Sequence, residues 1–295
     1  MAHEQENVRK APPYSKLVPK IWTDPDRGLQ KLLIEFRFVS IVKASEISRC
    51  CITLSGIEDL NRRESEILGK GDCQEVWIEL GTAKTPIDCY IEIFLREILI
   101  GEKSRCCIAT KSGETVSFTI KLLQIDFRGY LFELPAREVV TLAERYKQIG
   151  VEMFKKYPLF AQDYFNKAAK CLLSLGPLQE ESQEPPLDDV TPEELQNLLE
   201  SIYSNIAACL LKQKRYEDVL YLMEFANRAQ NVPEKALYRK AQAHNGLKQF
   251  EEAKATLERL DRDKKEVQAL WVKNQTEWRV EEEKYAKMVQ KMFSQ

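Results

Sequence analysis

Histidine is nearly absent from this chain. Of 295 residues only His3 and His244 carry an imidazole, so a histidine-built metal site or a Ser/His or Cys/His catalytic pair has almost nothing to draw on. Eight cysteines are present, as Cys50-Cys51, Cys106-Cys107 and singles at Cys73, Cys89, Cys171 and Cys209. No C-x-x-C spacing occurs among them, which argues against zinc and for reduced thiols that serve as small apolar side chains. There is also no glycine-rich phosphate loop and no G-x-S-x-G. Charge of one sign is missing too: 44 basic against 46 acidic residues leave a net charge of −2, too little for a field that would hold nucleic acid or an anionic membrane. No apolar run reaches transmembrane length, and the opening "MAHEQENVRKAPPY" lacks the apolar stretch of a signal peptide. A chain that lives in the cytoplasm, with the nucleus as a further compartment, is expected, with no cofactor and no metal.

What is present is a repeat. Asn205, Ala207, Tyr216, Val219 and Met223 recur 34 residues later as Arg239, Ala241, Phe250, Ala253 and Leu257. Small residues at Ala207 and Ala241 allow two helices to approach closely. Val219/Met223/Ala226 and Ala253/Leu257/Leu260 set apolar side chains on one helical face. The period is that of the tetratricopeptide (TPR) helix pair. An earlier copy places Gly150 at the small-residue position and Ala161, Phe165 and Ala168 on the second helix. It lies 57 residues before Ala207, 23 more than one period. The excess falls in "GPLQEESQEPPLDDVTPEE", whose prolines and acids suit a solvated insert. Asp188 and Asp189 belong to that insert and are read as solvated carboxylates, not as a catalytic pair. Three units suffice to bury a continuous core, and His244, inside a repeat helix, is read as structural.

The first half follows a different rhythm. Residues 1–24 carry prolines at 12, 13 and 19 and no periodicity, which predicts a flexible arm. From Leu29 onward, "LQKLLIEFRFVS", "SRCCITLSG", "EVWIELG" and "TVSFTIKLLQID" read as strands. Before the last of these, Ile91, Leu95 and Ile98 fall at helical spacing, with Gly101 as a helix stop. An α+β domain is expected over residues 25–135, a curved antiparallel sheet on one short helix. It is followed by an all-α TPR superhelix over 136–263, with its insert at about 176–193, and a terminal helix over 264–295.

The cues "ELG", "IEIFLREILIGEK" and "VSFTIKLLQID" resemble the FKBP-type immunophilins over about residues 25–130, a family in which such a domain precedes three TPR units. The resemblance implies a prolyl isomerase fold whose pocket has been dismantled. The tryptophan that the family places on the short helix corresponds to Ile91, no Phe-Asp-Ser segment occurs, and the tyrosine-bearing loop is reduced to "ATKSGET". Phe118 survives, in a strand where core packing explains it equally well. Little isomerase activity and weak macrolide binding follow.

For the TPR part, the resemblance implies a carboxylate-gripping peptide groove formed by Lys147, Asn205, Lys235 and Arg239, with Val151 where the family often has Asn. Its ligand would be the acidic C-terminal tail of the ninety-kilodalton heat-shock chaperone. Ordinary solvated helix surface is the alternative for these cations. Among degenerate members of the family, the resemblance implies an adaptor whose client is a casein-kinase-type circadian kinase. An isomerase with a rebuilt pocket and a co-chaperone that only docks the chaperone stand as the other functional readings. The terminal helix, with Trp271, Trp278, Tyr285, Met288, Met292 and Phe293 among charged residues, either covers the last repeat or offers a basic amphipathic face to calmodulin.

Overall fold

In a computed structural model, residues 18–61, 63–110, 113–176, 189–226 and 233–293 are described, and the chain divides into two units, 1–134 and 135–295. The first unit holds strands β1 (Ile21–Asp24), β2 (Leu29–Phe36), β3 (Arg49–Glu58) and β4 (Cys73–Glu79), helix α1 (Pro86–Glu97), then β5 (Glu102–Ala109) and β6 (Thr115–Asp126). All neighbours are antiparallel, in the order β1-β2-β5-β6-β3-β4. Inward side chains follow the two-residue period of a strand: Cys50, Ile52 and Leu54 on β3, and Val116, Phe118, Ile120 and Leu122 on β6, all buried.

Helix α1 begins where its sequence allows. Thr85 accepts a hydrogen bond from the Asp88 amide, Pro86 sits at the first helical position, and Asp88 places an acid in the first turn. Ile87, Ile91, Phe94 and Leu95 then turn one face onto the sheet. The helix ends at Glu97, short of Gly101. The glycine instead makes a tight turn into β5 at φ +85°, where a Cβ would stand 2.1 Å from the Arg37 carbonyl oxygen.

Two elements depart from expectation. The arm expected over 1–24 gives way to strand at its end: Ile21–Asp24 pairs with Leu29–Leu32, Val18 is buried, and Trp22 meets Phe94 edge-on at 5.9 Å. The other prolines cited for the arm, Pro12 and Pro13, lie outside the described residues, as does His3. Strand β5 was not foreseen because its inward positions open with Glu102 and Ser104 before reaching Cys106 and Ile108, so no apolar alternation shows. What makes that face buriable is Lys31 of β2. Its Nζ lies 2.6 Å from Glu102 Oε1 and 3.1 Å from the Glu97 carbonyl, and Ser104 Oγ donates to Glu102 Oε1 at 2.6 Å.

The second unit stacks α2 (Ala136–Phe154) on α3 (Pro158–Leu173), α4 (Pro192–Lys212) on α5 (Tyr216–Ala226) and α6 (Glu234–Gly246) on α7 (Phe250–Leu257), closed by α8 (Lys265–Phe293). The first helices also touch one another, α2 to α4, α4 to α6 and α6 to α8, the arrangement of a TPR superhelix. Ala207 and Ala241 are fully buried where helices cross. Gly150 goes further: a Cβ there would lie 2.6–2.9 Å from the Phe165 ring. Ala161, Phe165 and Ala168, then Val219 and Met223, then Ala253 and Leu257 form the buried stripes of the second helices. Leu260 is buried from the turn beyond α7, and the side chain of Ala226 lies outside the described residues.

Of the acidic insert, 177–188 is outside the described residues, Asp188 included. Asp189 is not simply solvated, since Arg137 Nε donates to it at 3.2 Å and Arg137 Nη1 to Glu194 at 2.6 Å. The front half of α8 covers the last repeat. Val267 and Leu270 are buried, Asn274 donates to Asn245 at 3.0 Å and to the Phe250 carbonyl at 3.3 Å, and Trp278 stacks on Phe250 at 6.3 Å. Tyr285, Met288, Met292 and Phe293 are exposed.

Candidate functional site

In the first unit, the space where the immunophilin resemblance would place a proline site is packed. Ile91 and Phe118 are fully buried, and Phe94 lies edge-on to Phe118 at 6.1 Å. Two carboxylates of α1, Asp88 and Glu92, accept mainly from backbone amides. Asp88 accepts from the Glu66 amide at 2.8 Å, from the Ile67 amide at 3.3 Å and from Ser65 Oγ at 2.5 Å. Glu92 Oε1 accepts from the Thr82 and Ala83 amides, both at 2.9 Å. These bonds staple the segments before and after β4 to the helix, the usual fate of buried polar groups. The cleft beside them, lined by Ile67, Val76, Ile78, Asp88 and Glu92, encloses about 140 Å³, below the roughly 300–1,000 Å³ of small-molecule sites. The 109–115 turn is short: the Thr110 amide donates to the Glu114 carbonyl at 2.9 Å and the Gly113 amide to the Thr110 carbonyl at 3.0 Å. Lys111 and Ser112 lie outside the described residues.

In the second unit, Lys147 stands on α2, Asn205 on α4, and Lys235 and Arg239 on α6. All four are on first helices, the set that touches along the array. Lys147 and Asn205 are half-buried, Lys235 is exposed, and none of the three has a hydrogen bond or ion pair among the described residues. Val151, one turn beyond Lys147, is 49% exposed, apolar where an amide would serve the groove.

Lys235 and Arg239 share a cleft of about 320 Å³ between α6 and the start of α8, together with Tyr238, Lys264 and Glu266 over an apolar base that includes Val267. Lys147 and Asn205 do not line it. Arg239 is the informative residue. Its Nη1 donates to Gln242 at 3.2 Å, while its Nε is buried with no partner among the described residues. Burial holds the guanidinium below its ordinary pKa, against the opposing pull of Tyr238, Cys209 and Glu266. A buried unsatisfied donor in a native fold calls for an explanation, and Arg239 is also one of the residues lining the cleft. Of the nearby acids, Glu234 is already paired with Lys264. Tyr238, Lys264 and Glu266 had no sequence signal, since Lys264 and Glu266 arrive from the next helix and Tyr238 reads as a face residue of α6.

Comparison with known proteins fits this two-part organisation. A family model described as "BDBT FKBP like N-terminal" matches residues 22–127, and one described as "Bride of doubletime-like, TPR domain" matches residues 135–221. The protein Bride of doubletime of Drosophila melanogaster is 35% identical over 280 residues, covering 92% of this chain and 97% of its own. A crystal structure of residues 1-211 of CG17282 aligns with a TM-score of 0.62 at 35% identity, covering 70% of this chain and 100% of that one. A shorter likeness, 32% over 111 residues, links 36% of this chain to 27% of the peptidyl-prolyl cis-trans isomerase CYP7 of Saccharomyces cerevisiae. With two-unit architecture and near full-length identity in agreement, the chain belongs to the Bride of doubletime family.

Proposed function

We propose that this protein is a non-catalytic adaptor, in which the immunophilin-like unit presents a binding surface and the TPR unit grips the carboxylate end of a partner. The observation that carries the reading is Arg239, a half-buried guanidinium with an unpaired Nε one helical turn from an unpaired Lys235. Lys147 and Asn205 extend the same series of first helices toward the start of the array. The partner for this groove is an acidic C-terminal tail of the kind carried by the ninety-kilodalton heat-shock chaperone. Hydrogen bonds to charged groups are worth roughly 1.5–3 kcal/mol each, so a few suffice for specific capture. Val151 in place of an amide removes about 1 kcal/mol, roughly five-fold in affinity. The client held by the complex is the kinase doubletime, the partner spoken of in the relative's name, and the compartment is the cytoplasm with access to the nucleus.

Calorimetry with a pentapeptide ending Glu-Glu-Val-Asp tests the groove: the parent protein binds and Lys235→Ala with Arg239→Ala loses at least ten-fold. No detectable binding by the parent sinks the groove reading. A coupled proline-isomerisation assay tests the other half, and turnover comparable with an active immunophilin refutes the non-catalytic reading.

A further inference from the structure

The first unit carries a second feature that packing does not absorb. Between β2 and β3 the chain runs as "RFVSIVK", with no regular structure, and its apolar side chains face water: Val39 is 58% and Ile41 66% exposed, with Phe38 and Val42 also open. Ile34, at the bulge near the end of β2, and Ile21 on the neighbouring edge strand are exposed as well. Scattered exposed apolar residues need no explanation, but four within the five residues from Phe38 to Val42 are dense enough to mark an interaction site.

The segment is also held in place, so its exposure is not that of a chain free to fold inward. The Arg37 amide donates to the Gly101 carbonyl at 3.1 Å, and the Gly101 amide to the Leu122 carbonyl at 2.9 Å. At the other end, Lys43 Nζ pairs with Glu97 at 2.8 Å, Ser45 and Ser48 close a turn through their hydroxyls, and Ala44 and Ile47 are buried. Gly101 serves this display directly, because any side chain there would strike the Arg37 carbonyl.

Charge selects the occupant. Lys20 and Arg37 border the apolar run, exposed and without a partner among the described residues. The adjacent acid, Glu35, has Lys103 as its cross-strand neighbour, so the rim is left positive. A second copy of the chain, related by a two-fold axis, would bring a rim of the same positive sign to the interface from both sides. We infer that the surface formed by Ile34, Phe38, Val39, Ile41 and Val42 docks an apolar stretch of the client protein that is flanked by carboxylates. The inference rests on the adaptor reading and adds the place where the client sits.

The test uses the full chain and the purified kinase doubletime as probe, with affinity measured by biosensor. Val39→Asp with Ile41→Asp should weaken binding at least ten-fold, and Arg37→Glu should weaken it and flatten its salt dependence. Because the substituted side chains are exposed, the variants should keep the parent's hydrogen-exchange protection in β2 and β5. Kinase binding that survives Val39→Asp/Ile41→Asp overturns this inference and spares the adaptor. A parent protein that does not bind the kinase overturns the client assignment and this docking site together. Concentration-dependent dimerisation abolished by the same variant overturns it in favour of a second copy.

Discussion

Replacing Lys31 by Met probes the device that holds the first unit's sheet to its helix. Lys31 and Glu102 are 1% and 0% exposed, so water screens neither. The ammonium sits 2.6 Å from Glu102 Oε1 and 3.1 Å from the Glu97 carbonyl at the end of α1, while the carboxylate also accepts from Ser104 Oγ at 2.6 Å and from the Leu99 amide at 3.2 Å. Methionine matches the length of the lysine stem but leaves the carboxylate with two neutral donors and no counter-charge. Breaking a buried pair in this way costs about 3–5 kcal/mol, a fifth or more of the roughly 5–15 kcal/mol that stabilises a domain. Adding Glu102→Gln removes the stranded charge; its single carbonyl oxygen can accept from the Leu99 amide while its NH2 donates to the Ser104 hydroxyl, so the double variant should recover most of the loss. Since the chain has two units, a single unfolding midpoint is not well defined. Hydrogen exchange of the β2 and β5 amides isolates the relevant one. The single variant should lose about two to four orders of magnitude of protection there, by the conversion of about 1.4 kcal/mol per tenfold. The 135–295 unit should be unchanged. Protection within tenfold of the parent would mean that the pair is not the buried anchor its geometry indicates. A double variant as weak as the single would mean that the network, not the unbalanced charge, carries the energy.

Two further outcomes follow from the packing. Gly150→Ala gains helix propensity of about 1 kcal/mol but forces a methyl into the Phe165 ring, and overpacking of this kind costs about 1–3 kcal/mol. The thermal midpoint of the helical unit should therefore fall, with partial rescue by Phe165→Leu, and a rise in the midpoint on Gly150→Ala would refute the close approach. For the thiols, burial pushes Cys50 and Cys209 up to about 12 and Cys106 higher still. At pH 8 these three should react with a thiol reagent only on unfolding, while half-exposed Cys73 reacts in the native state. The sign for stability follows: a folded-state pKa above the ordinary thiol value of 9.0 favours folding below that pH, and the contribution is lost as pH rises from about 9 toward 12. Native-state labelling of Cys106 would show that its strand opens readily.

Much of the second unit was legible because its signal is redundant. Ala207 and Ala241, Tyr216 and Phe250, Met223 and Leu257 repeat the same steric requirement at one period, and the structure buries the small and aliphatic positions as that repetition demands. The β6 boundaries were readable for a similar reason, since Val116 through Leu122 alternate strictly. Strand β5 hid because its buried face begins with a carboxylate and a hydroxyl, tolerable only through Lys31, 71 residues from Glu102 in sequence. Strand β1 hid because four residues on a sheet edge need little apolar pattern when the backbone ladder to β2 and a single ring, Trp22, supply the attachment. The groove residues could be matched by position, yet sequence could not reveal that Lys235 and Arg239 line a common cleft while Lys147 and Asn205 stand apart from it. That depends on where α8 begins.

Two desolvated cations in this chain differ in how their charge is met. Lys31 is fully desolvated and every acceptor around it is used, so its role ends inside the fold. Arg239 is also desolvated, enough to lower its pKa, yet its Nε has no acceptor among the described residues. An unmet buried donor costs about 1–3 kcal/mol, and nothing in α6 requires an arginine: Ala236, Leu237 and Ala241 already supply the helix's buried contacts. On the proposed groove reading, a residue that weakens the free protein and repeats, one period on, the place of Asn205 regains that cost in a complex. Ligand binding and stability of the helical unit should then be linked, with saturating acidic peptide at a hundred times its Kd raising stability by about 2.7 kcal/mol. Arg239→Met should uncouple the two, by making the free protein no less stable while abolishing the rise on adding peptide. A methionine variant that is markedly less stable without ligand would assign Arg239 to the fold, alongside Lys31, and leave the groove without its anchor.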